Sequence, residues 1–238
     1  MRQQLVSEFR KLWTTWTAWG LLIALLAVTA MGVVGVLLGK GPVPGLPFLN
    51  VPMGIAWAFV LILGLRSFTD EFRHGSIVPT LLADPDRRRV LFAKVSVTAG
   101  AAVVFALAAA ALSFAIGLAW FAVKGYPISI GVGSVGVWLV KLLLIDVLWS
   151  AIGVGVGLAV RHQVAAIAGT LVAVLVGENI LAGFVPAIEK VLPGAASSSL
   201  AGLEGAPFGP VAGAAILAAW TIAFLTTGSV LMERRDVA

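Results

Sequence analysis

The sequence contains no cysteine and few charged residues. Of its 238 residues, two are histidine and 11% are charged. Without cysteine, disulfide frameworks, thiol nucleophiles, iron–sulfur clusters and thiolate zinc sites are excluded. A soluble domain carries about 25% charged residues, so this chain has too few polar side chains to cover a surface that faces water. The composition therefore argues against a soluble enzyme, a disordered protein and a nucleic-acid-binding protein.

Apolar residues, in contrast, make up 60% of the chain, and the mean hydropathy is +1.06. A helix needs about 20 apolar residues to cross about 30 Å of hydrocarbon. We therefore predict an all-α integral membrane protein, a single domain over residues 1–238. Six stretches are long enough to be its transmembrane helices, at 17–38, 51–68, 95–123, 135–160, 165–188 and 210–232.

Lysine and arginine are distributed unevenly between the two sides of these predicted spans. Of the sixteen basic residues, only Lys40, Lys124 and Lys190 lie on one side, and Lys141 lies inside span four. The other twelve lie on the side that carries both termini. By the positive-inside rule, we expect the N- and C-termini in the cytoplasm and the chain in the cell membrane.

The first sixteen residues alternate apolar and charged side chains at helical spacing. Leu5, Phe9, Leu12, Trp13 and Trp16 form one stripe, and basic, acidic and amide residues fill most other positions. This pattern predicts an amphipathic helix over 1–16 that lies in the cytoplasmic membrane interface. A plain positive-inside anchor is the alternative, and the two interpretations are compatible.

The connection 69–94 is the longest on the predicted cytoplasmic side. Between its acidic start and its basic end lies a short apolar stretch, 77–83. Pro79 fits the first turn of a helix, and Asp84-Pro85 ends one. A helix of about two turns cannot bury its apolar face alone, so it requires lipid or a partner protein.

This connection resembles the ABC-2 type permeases, the six-span membrane subunits of ABC exporters. The predicted N-terminal helix, the six-span plan and Leu192-Pro193 after span five are also similar to that family, so the resemblance covers nearly the whole chain. The matching residues of the connection are Glu71, Gly75, Ser76, Leu81, Leu82, Pro85, Arg87 and Lys94.

The resemblance implies that the short helix is a coupling helix, seated in a groove of a separate ATP-binding subunit. Two permeases, identical or paralogous, and two ATP-binding subunits would form the working unit, with ATP and Mg on the partner subunit. The chain itself is expected to hold no catalytic residue, metal or cofactor, and its Gly39-Lys40 lacks the upstream glycine of a Walker A loop. The implied coupling residues are Glu71, Arg73, His74, Gly75, Ser76, Leu81, Leu82 and Arg87.

Polar residues inside the spans are Lys141, Asp146, Glu178 and Asn179. A charge in lipid costs at least ~2.5–3.5 kcal/mol, so these residues either line a substrate path or form structural pairs. If spans four and five pack as an antiparallel pair, Lys141 and Glu178 both lie about 9–10 Å below the outer boundary at 1.5 Å per residue. We therefore predict a Lys141–Glu178 ion pair, with Asp146 near mid-membrane and facing the bundle interior or a wet cavity.

Other patterns in the sequence indicate packing rather than chemistry. The histidines, His74 and His162, lack the spacing of a metal site. Gly153, Gly155 and Gly157 on span four are typical of close helix approach. The outer connection 189–209 is either an ordinary loop or a re-entrant hairpin.

These observations favour the permease subunit of an ATP-driven exporter of an amphipathic substrate such as a drug, antibiotic, peptide or lipid. Six helices enclose little space, so we expect the path to form between two copies. The alternatives are an ion- or proton-coupled secondary carrier, based on Asp146 and Glu178, and a non-transporting scaffold or sensor subunit. The substrate, export against import, and homodimer against heterodimer stay open at this point.

Overall fold

The computed structural model describes residues 2–39, 47–76, 86–125 and 132–234. Within these ranges every regular element is a helix and none is a strand. A π-helical turn lies at Ala173–Gly177, inside the longer helix 163–184. The helices are α1 (Arg2–Thr14), α2 (Trp16–Gly39), α3 (Asn50–His74), α4 (Arg87–Lys124), α5 (Val132–Ala159), α6 (Gln163–Phe184), α7 (Pro186–Glu189), α8 (Pro193–Ala201) and α9 (Pro210–Arg234).

Six of these helices, α2 to α6 and α9, are long and apolar enough to cross a membrane. The predicted six spans are thereby confirmed in number and approximate position. Helices α3 and α4 extend beyond the predicted spans, because the polar residues beside the apolar runs continue the same helices. Helix α6 ends at Phe184, earlier than predicted, since Val185 leaves the helical region with φ −139° and ψ 84°.

Local capping fixes where α3 ends and α4 begins. Gly75 takes a left-handed conformation with φ 67° and closes α3, a backbone geometry that favours glycine. Asp86 starts α4, because its side chain accepts the backbone N–H groups of Arg88 and Arg89. The predicted coupling helix over 77–83, with Leu81 and Leu82, lies outside the described residues.

Helix α5 is the most buried of the six long helices and packs closely against α3. In its most apolar window 72% of the residues are buried, against 6% for α6. A Cβ at Gly153 would collide with the carbonyl of Leu61, and one at Gly157 with the carbonyl of Leu65. The prediction that these glycines allow close helix approach is confirmed.

The sequence predicts that spans four and five pack as an antiparallel pair, and this prediction is wrong, because α6 does not pack along α5. Its first half contacts α3 more than α5. The reason is that the short helices α7 and α8 follow it and α8 takes a place against α5 and α9. Trp149, past the middle of α5, donates its indole N–H to Ser197 Oγ at 2.8 Å. The 189–209 connection is therefore a helical hairpin that returns into the bundle.

One end of the bundle collects most of the basic residues, and we call it the basic end. There Arg73 donates to Gln163 at 2.9 Å, which joins the end of α3 to the start of α6. Arg87 donates to the carbonyl of Met232, which joins the start of α4 to the end of α9. Helix α1 lies at this end and packs against α4 and α2.

The glycine packing predicts a specific loss of stability. Gly153→Ala should destabilise the folded chain by about 1–3 kcal/mol, because the methyl group meets backbone that cannot rotate away. Gly136→Ala on the same helix is the matched control, since nothing lies within 4 Å of its Cβ position. Thermal unfolding in detergent measures both. Equal melting temperatures for the two variants would contradict this packing.

Candidate functional site

Four charged side chains from α1, α3 and α4 meet at the basic end, and we call them the ion cluster: Glu8, Lys11, Glu71 and Lys94. Glu8 and Lys11 lie one turn apart on α1, so both side chains leave the same face of that helix. Glu71 lies in the last turns of α3, and Lys94 lies two turns into α4. The cluster therefore joins three helices.

Lys94 is the centre of the ion cluster. Its Nζ lies 2.8 Å from Glu8 Oε2, 2.8 Å from Glu71 Oε1 and 2.8 Å from the carbonyl oxygen of Ser67. The contacts with Glu8 and Ser67 have hydrogen-bond geometry, and the contact with Glu71 is an ion pair. The side chain is 1% exposed, so these groups take the place of water around the charge.

Lys11 lies at the exposed edge of the ion cluster, with its side chain 49% exposed. Its Nζ lies 2.7 Å from Glu8 Oε1 and 2.8 Å from Glu71 Oε1. Burial raises the pKa of Glu8, but Lys94 and Lys11 outweigh it and hold that pKa below its usual value. Burial lowers the pKa of Lys11, but its bonds to Glu71 and Glu8 outweigh burial and hold that pKa above its usual value. Both groups are therefore charged at neutral pH.

The ion cluster stabilises the packing of α1, α3 and α4 against one another. Two carboxylates and two ammonium groups balance in charge, which is the condition for burying them. Removing one member of a buried ionic group costs about 3–5 kcal/mol, because its partners stay buried without compensation. The cluster offers no nucleophile and no group of three metal-ligating side chains, and no such group occurs among the described residues.

A cavity of about 270 Å³ opens beside the ion cluster. Asp70 and His74 line it together with members of the cluster. Asp70 Oδ2 pairs with Arg66 at 2.8 Å, one turn back on α3. The cavity thus lies beside the last turns of α3 and the ion cluster.

Two of the predicted coupling residues are at least half-buried within the chain. Glu71 is 7% exposed and belongs to the ion cluster, where its Oε1 lies 2.8 Å from both Lys11 and Lys94. Arg87 is half-buried against the end of α9. Both side chains satisfy charges or carbonyls of this chain, because the helices that bracket the segment pack tightly here.

The remaining described coupling residues lie at the surface of the basic end. Arg73, His74 and Gly75 are exposed, and Ser76 is half-buried. His74 lies with Nδ1 at 2.7 Å from the carbonyl oxygen of Asp70. Leu81 and Leu82 lie outside the described residues, so the structure brings together only the flanks of the predicted coupling helix.

The predicted Lys141–Glu178 ion pair is wrong. Lys141 Nζ donates to the carbonyl of Ala201 at 3.1 Å, whereas Glu178 accepts the N–H of Gly194 at 2.9 and 3.1 Å. Gly194 and Ala201 lie at the two ends of α8. The short helix offers its N–H groups to the acid and a C-terminal carbonyl to the base, in accord with the helix dipole.

The other two intramembrane polar residues differ in burial. Asp146 is 0% exposed, as expected for a side chain that faces the bundle interior, and neither carboxyl oxygen has a hydrogen-bond partner among the described residues. Asn179 is exposed on α6 and donates to the carbonyl of Leu175 at 2.7 Å.

Sequence reasoning missed the ion cluster and the capping role of α8. The Glu8-Lys11 spacing is visible in the sequence, but it reads as an ordinary pair on the polar face of α1. No family model matches the chain, and no curated protein is significantly similar to it.

The ion cluster predicts a non-additive cost in a double-mutant cycle. Lys94→Met should lower the free energy of unfolding by about 3–5 kcal/mol, since Glu8 and Glu71 then share only the half-exposed Lys11 as a counterion. Adding Glu71→Gln should recover part of that loss. Unfolding by titration with denaturing detergent measures all three variants.

The matched control for this cycle is Arg88→Met. Arg88 is 83% exposed and lies 3.7 Å from Glu233, so its loss should cost no more than about 1 kcal/mol. If Lys94→Met is as mild as the control, or if the double variant loses the sum of both single losses, the cluster is not a cooperative unit.

Proposed function

We propose that this chain is the permease subunit of an ABC exporter of the ABC-2 type. The six long apolar helices and the resemblance over 70–94 support the proposal. Its working partners are two ATP-binding subunits, which bind and hydrolyse ATP with Mg, and a second permease copy or paralogue. The chain has a transport role and no catalytic reaction of its own.

The observation that carries the proposal is the connection between the ion cluster and the segment 75–86. Glu71 lies just before that segment and Lys94 just after it, and both bind Glu8 or Lys11 on α1. A force on the segment therefore acts on α1, α3 and α4 at once. A permease that is driven by ATP hydrolysis on a separate subunit needs a rigid connection of this kind, because the movement of that subunit must reach the transmembrane helices.

The basic end is the cytoplasmic end in this proposal, by the positive-inside rule. Helix α1 then lies at the membrane surface, with Phe9 and Trp13 about half exposed and Trp16, at the start of α2, 89% exposed. Aromatic side chains suit the headgroup zone. An apolar cavity of about 700 Å³ separates α1 from α2 and α4, and in a cell membrane lipid acyl chains fill it.

The second permease copy covers α6 in this proposal. Helix α6 is the least buried long helix, at 6% of its most apolar window, and it exposes Asn179 beside Leu175 and Ile180. Exposed apolar surface of this kind is suited to contact with a second copy. That contact would place a path for an amphipathic substrate between the two chains.

One observation favours a second candidate function, an ion- or proton-coupled carrier. Asp146 lies in the interior of α5 without a partner among the described residues, and an intramembrane carboxyl group of this kind is typical of proton relays. A carrier would transport its substrate on a proton gradient without an ATP-binding subunit. Transport in vesicles that contain ATP but no ion gradient separates the two functions.

The coupling test uses the two leucines of the segment between α3 and α4. Leu81→Asp with Leu82→Asp should abolish co-purification with the ATP-binding subunit and ATP-driven transport, because two charges replace an apolar docking face. Insertion into the membrane should be unchanged. Phe208→Asp is the control, since it adds a charge to an exposed apolar position just before the start of α9, and the end of α9 is the one that lies at the basic end. Normal transport with full ATPase association in the double variant would refute the assignment.

A further inference from the structure

A cavity of about 340 Å³ lies between α3, α5, α6 and α8, away from the ion cluster. Its size suits a small organic ligand. The hairpin of α7 and α8 closes one side and α6 closes another. Two acidic residues, Glu178 and Glu189, line it, and no lysine, arginine or histidine among the described residues does so.

Two tryptophan rings form the aromatic side of this cavity. Trp57 from α3 and Trp149 from α5 lie with their ring centroids 4.7 Å apart and their planes at 37°. Trp57 donates its indole N–H to the carbonyl of Gly54 at 2.9 Å, and Trp149 donates to Ser197. Because both N–H groups are engaged and Trp149 is 1% exposed, the half-buried ring of Trp57 is the aromatic group that a ligand can contact, and an aromatic face attracts cations.

The acidic side of the cavity has no cation of its own. The carboxylate of Glu178 accepts the N–H of Gly194, which fixes its position. Lys141 is the nearby base, but it donates to Ala201 at the other end of α8, about 10 Å along that helix from Gly194. Among the described residues Glu178 forms no salt bridge.

We infer that this cavity binds an organic cation with an apolar body, held between the carboxylate of Glu178 and the ring of Trp57. The negative charge selects a cation, the ring of Trp57 stabilises an ammonium group, and the apolar part of the lining, which includes Met53, Val174 and Leu175, accepts the body of the molecule. The inference rests on the proposed function in one respect: it makes a cationic amphipathic compound the exported cargo.

The binding test uses the purified chain alone, in detergent, with tritiated benzyltrimethylammonium in equilibrium dialysis. Saturable binding is expected, and unlabelled cation should displace the label. Neopentylbenzene, which has the same shape without the charge, should displace it at least about tenfold less well. Absence of saturable binding, or equal displacement by the two compounds, would overturn the inference.

The site is tested by three variants, each checked for a single folded peak in size-exclusion chromatography. Glu178→Gln keeps an oxygen for Gly194 but removes the charge, and should weaken binding about tenfold or more. Trp57→Leu should also weaken it, and this variant decides the question if Glu178→Gln fails the folding check. Glu204→Gln, an exposed acid that does not line the cavity, should bind normally. Unchanged affinity in the folded variants at 178 and 57 would overturn the site.

The inference and the proposed function fail separately. Cation binding by the isolated chain, combined with transport that does not need ATP, keeps the site and refutes the exporter. ATP-driven export of other compounds, with no saturable binding of the cation, keeps the exporter and refutes the site.

Discussion

The attachment of α1 depends on the buried ammonium group of Lys94. None of the described side chains of α1, residues 4–14, is fully buried, so apolar contact with the bundle alone does not hold this helix. Lys94 binds one acid on α1 and one on α3 at 2.8 Å each. Without Lys94 these two carboxylates would share only Lys11, whose side chain is 49% exposed, as a counterion. The position of α1 relative to both flanks of the segment 75–86 follows from this arrangement.

A similar constraint shapes the other polar site of the bundle. Glu178 and Lys141 are both in apolar helices, and each needs a partner that water does not supply. The chain inserts α8 between them and uses the two ends of that helix as partners. The cost of burying both charges is therefore met by backbone groups that every helix leaves unpaired at its ends. The same geometry leaves the charge of Glu178 available to a cationic ligand.

The spans could be predicted from the sequence because length and hydropathy are local properties. The pairings could not, since they join residues far apart in the chain, such as Glu8 and Lys94, and no local pattern records them. The depth argument for Lys141 and Glu178 failed for a related reason. It compared only the two long helices and did not predict α8 between them. The alanines, serines and glycine of α8 are not a pattern that indicates a buried helix.

Among the predicted coupling residues, Glu71 shows that a sequence motif predicts the position of a residue along the chain but not the contacts of its side chain. Its place beside the coupling segment follows from the sequence, whereas the direction of its side chain depends on Lys94 and on a helix some sixty positions earlier in the chain. The described structure shows the contact of Glu71 within the chain, to Lys11 and Lys94. In the proposed permease, the flanks of the segment would transmit the coupling.

The most direct test of the central claim is the distance between α1 and α4 in the presence and absence of Lys94. The chain has no cysteine, so spin labels can be placed at Ser7→Cys and Arg88→Cys and measured by pulsed electron resonance in lipid nanodiscs. The ion cluster predicts one narrow distance distribution, which broadens when Lys94→Met is added. A distribution that is equally narrow with Lys94→Met, or already broad with Lys94 in place, would contradict the claim.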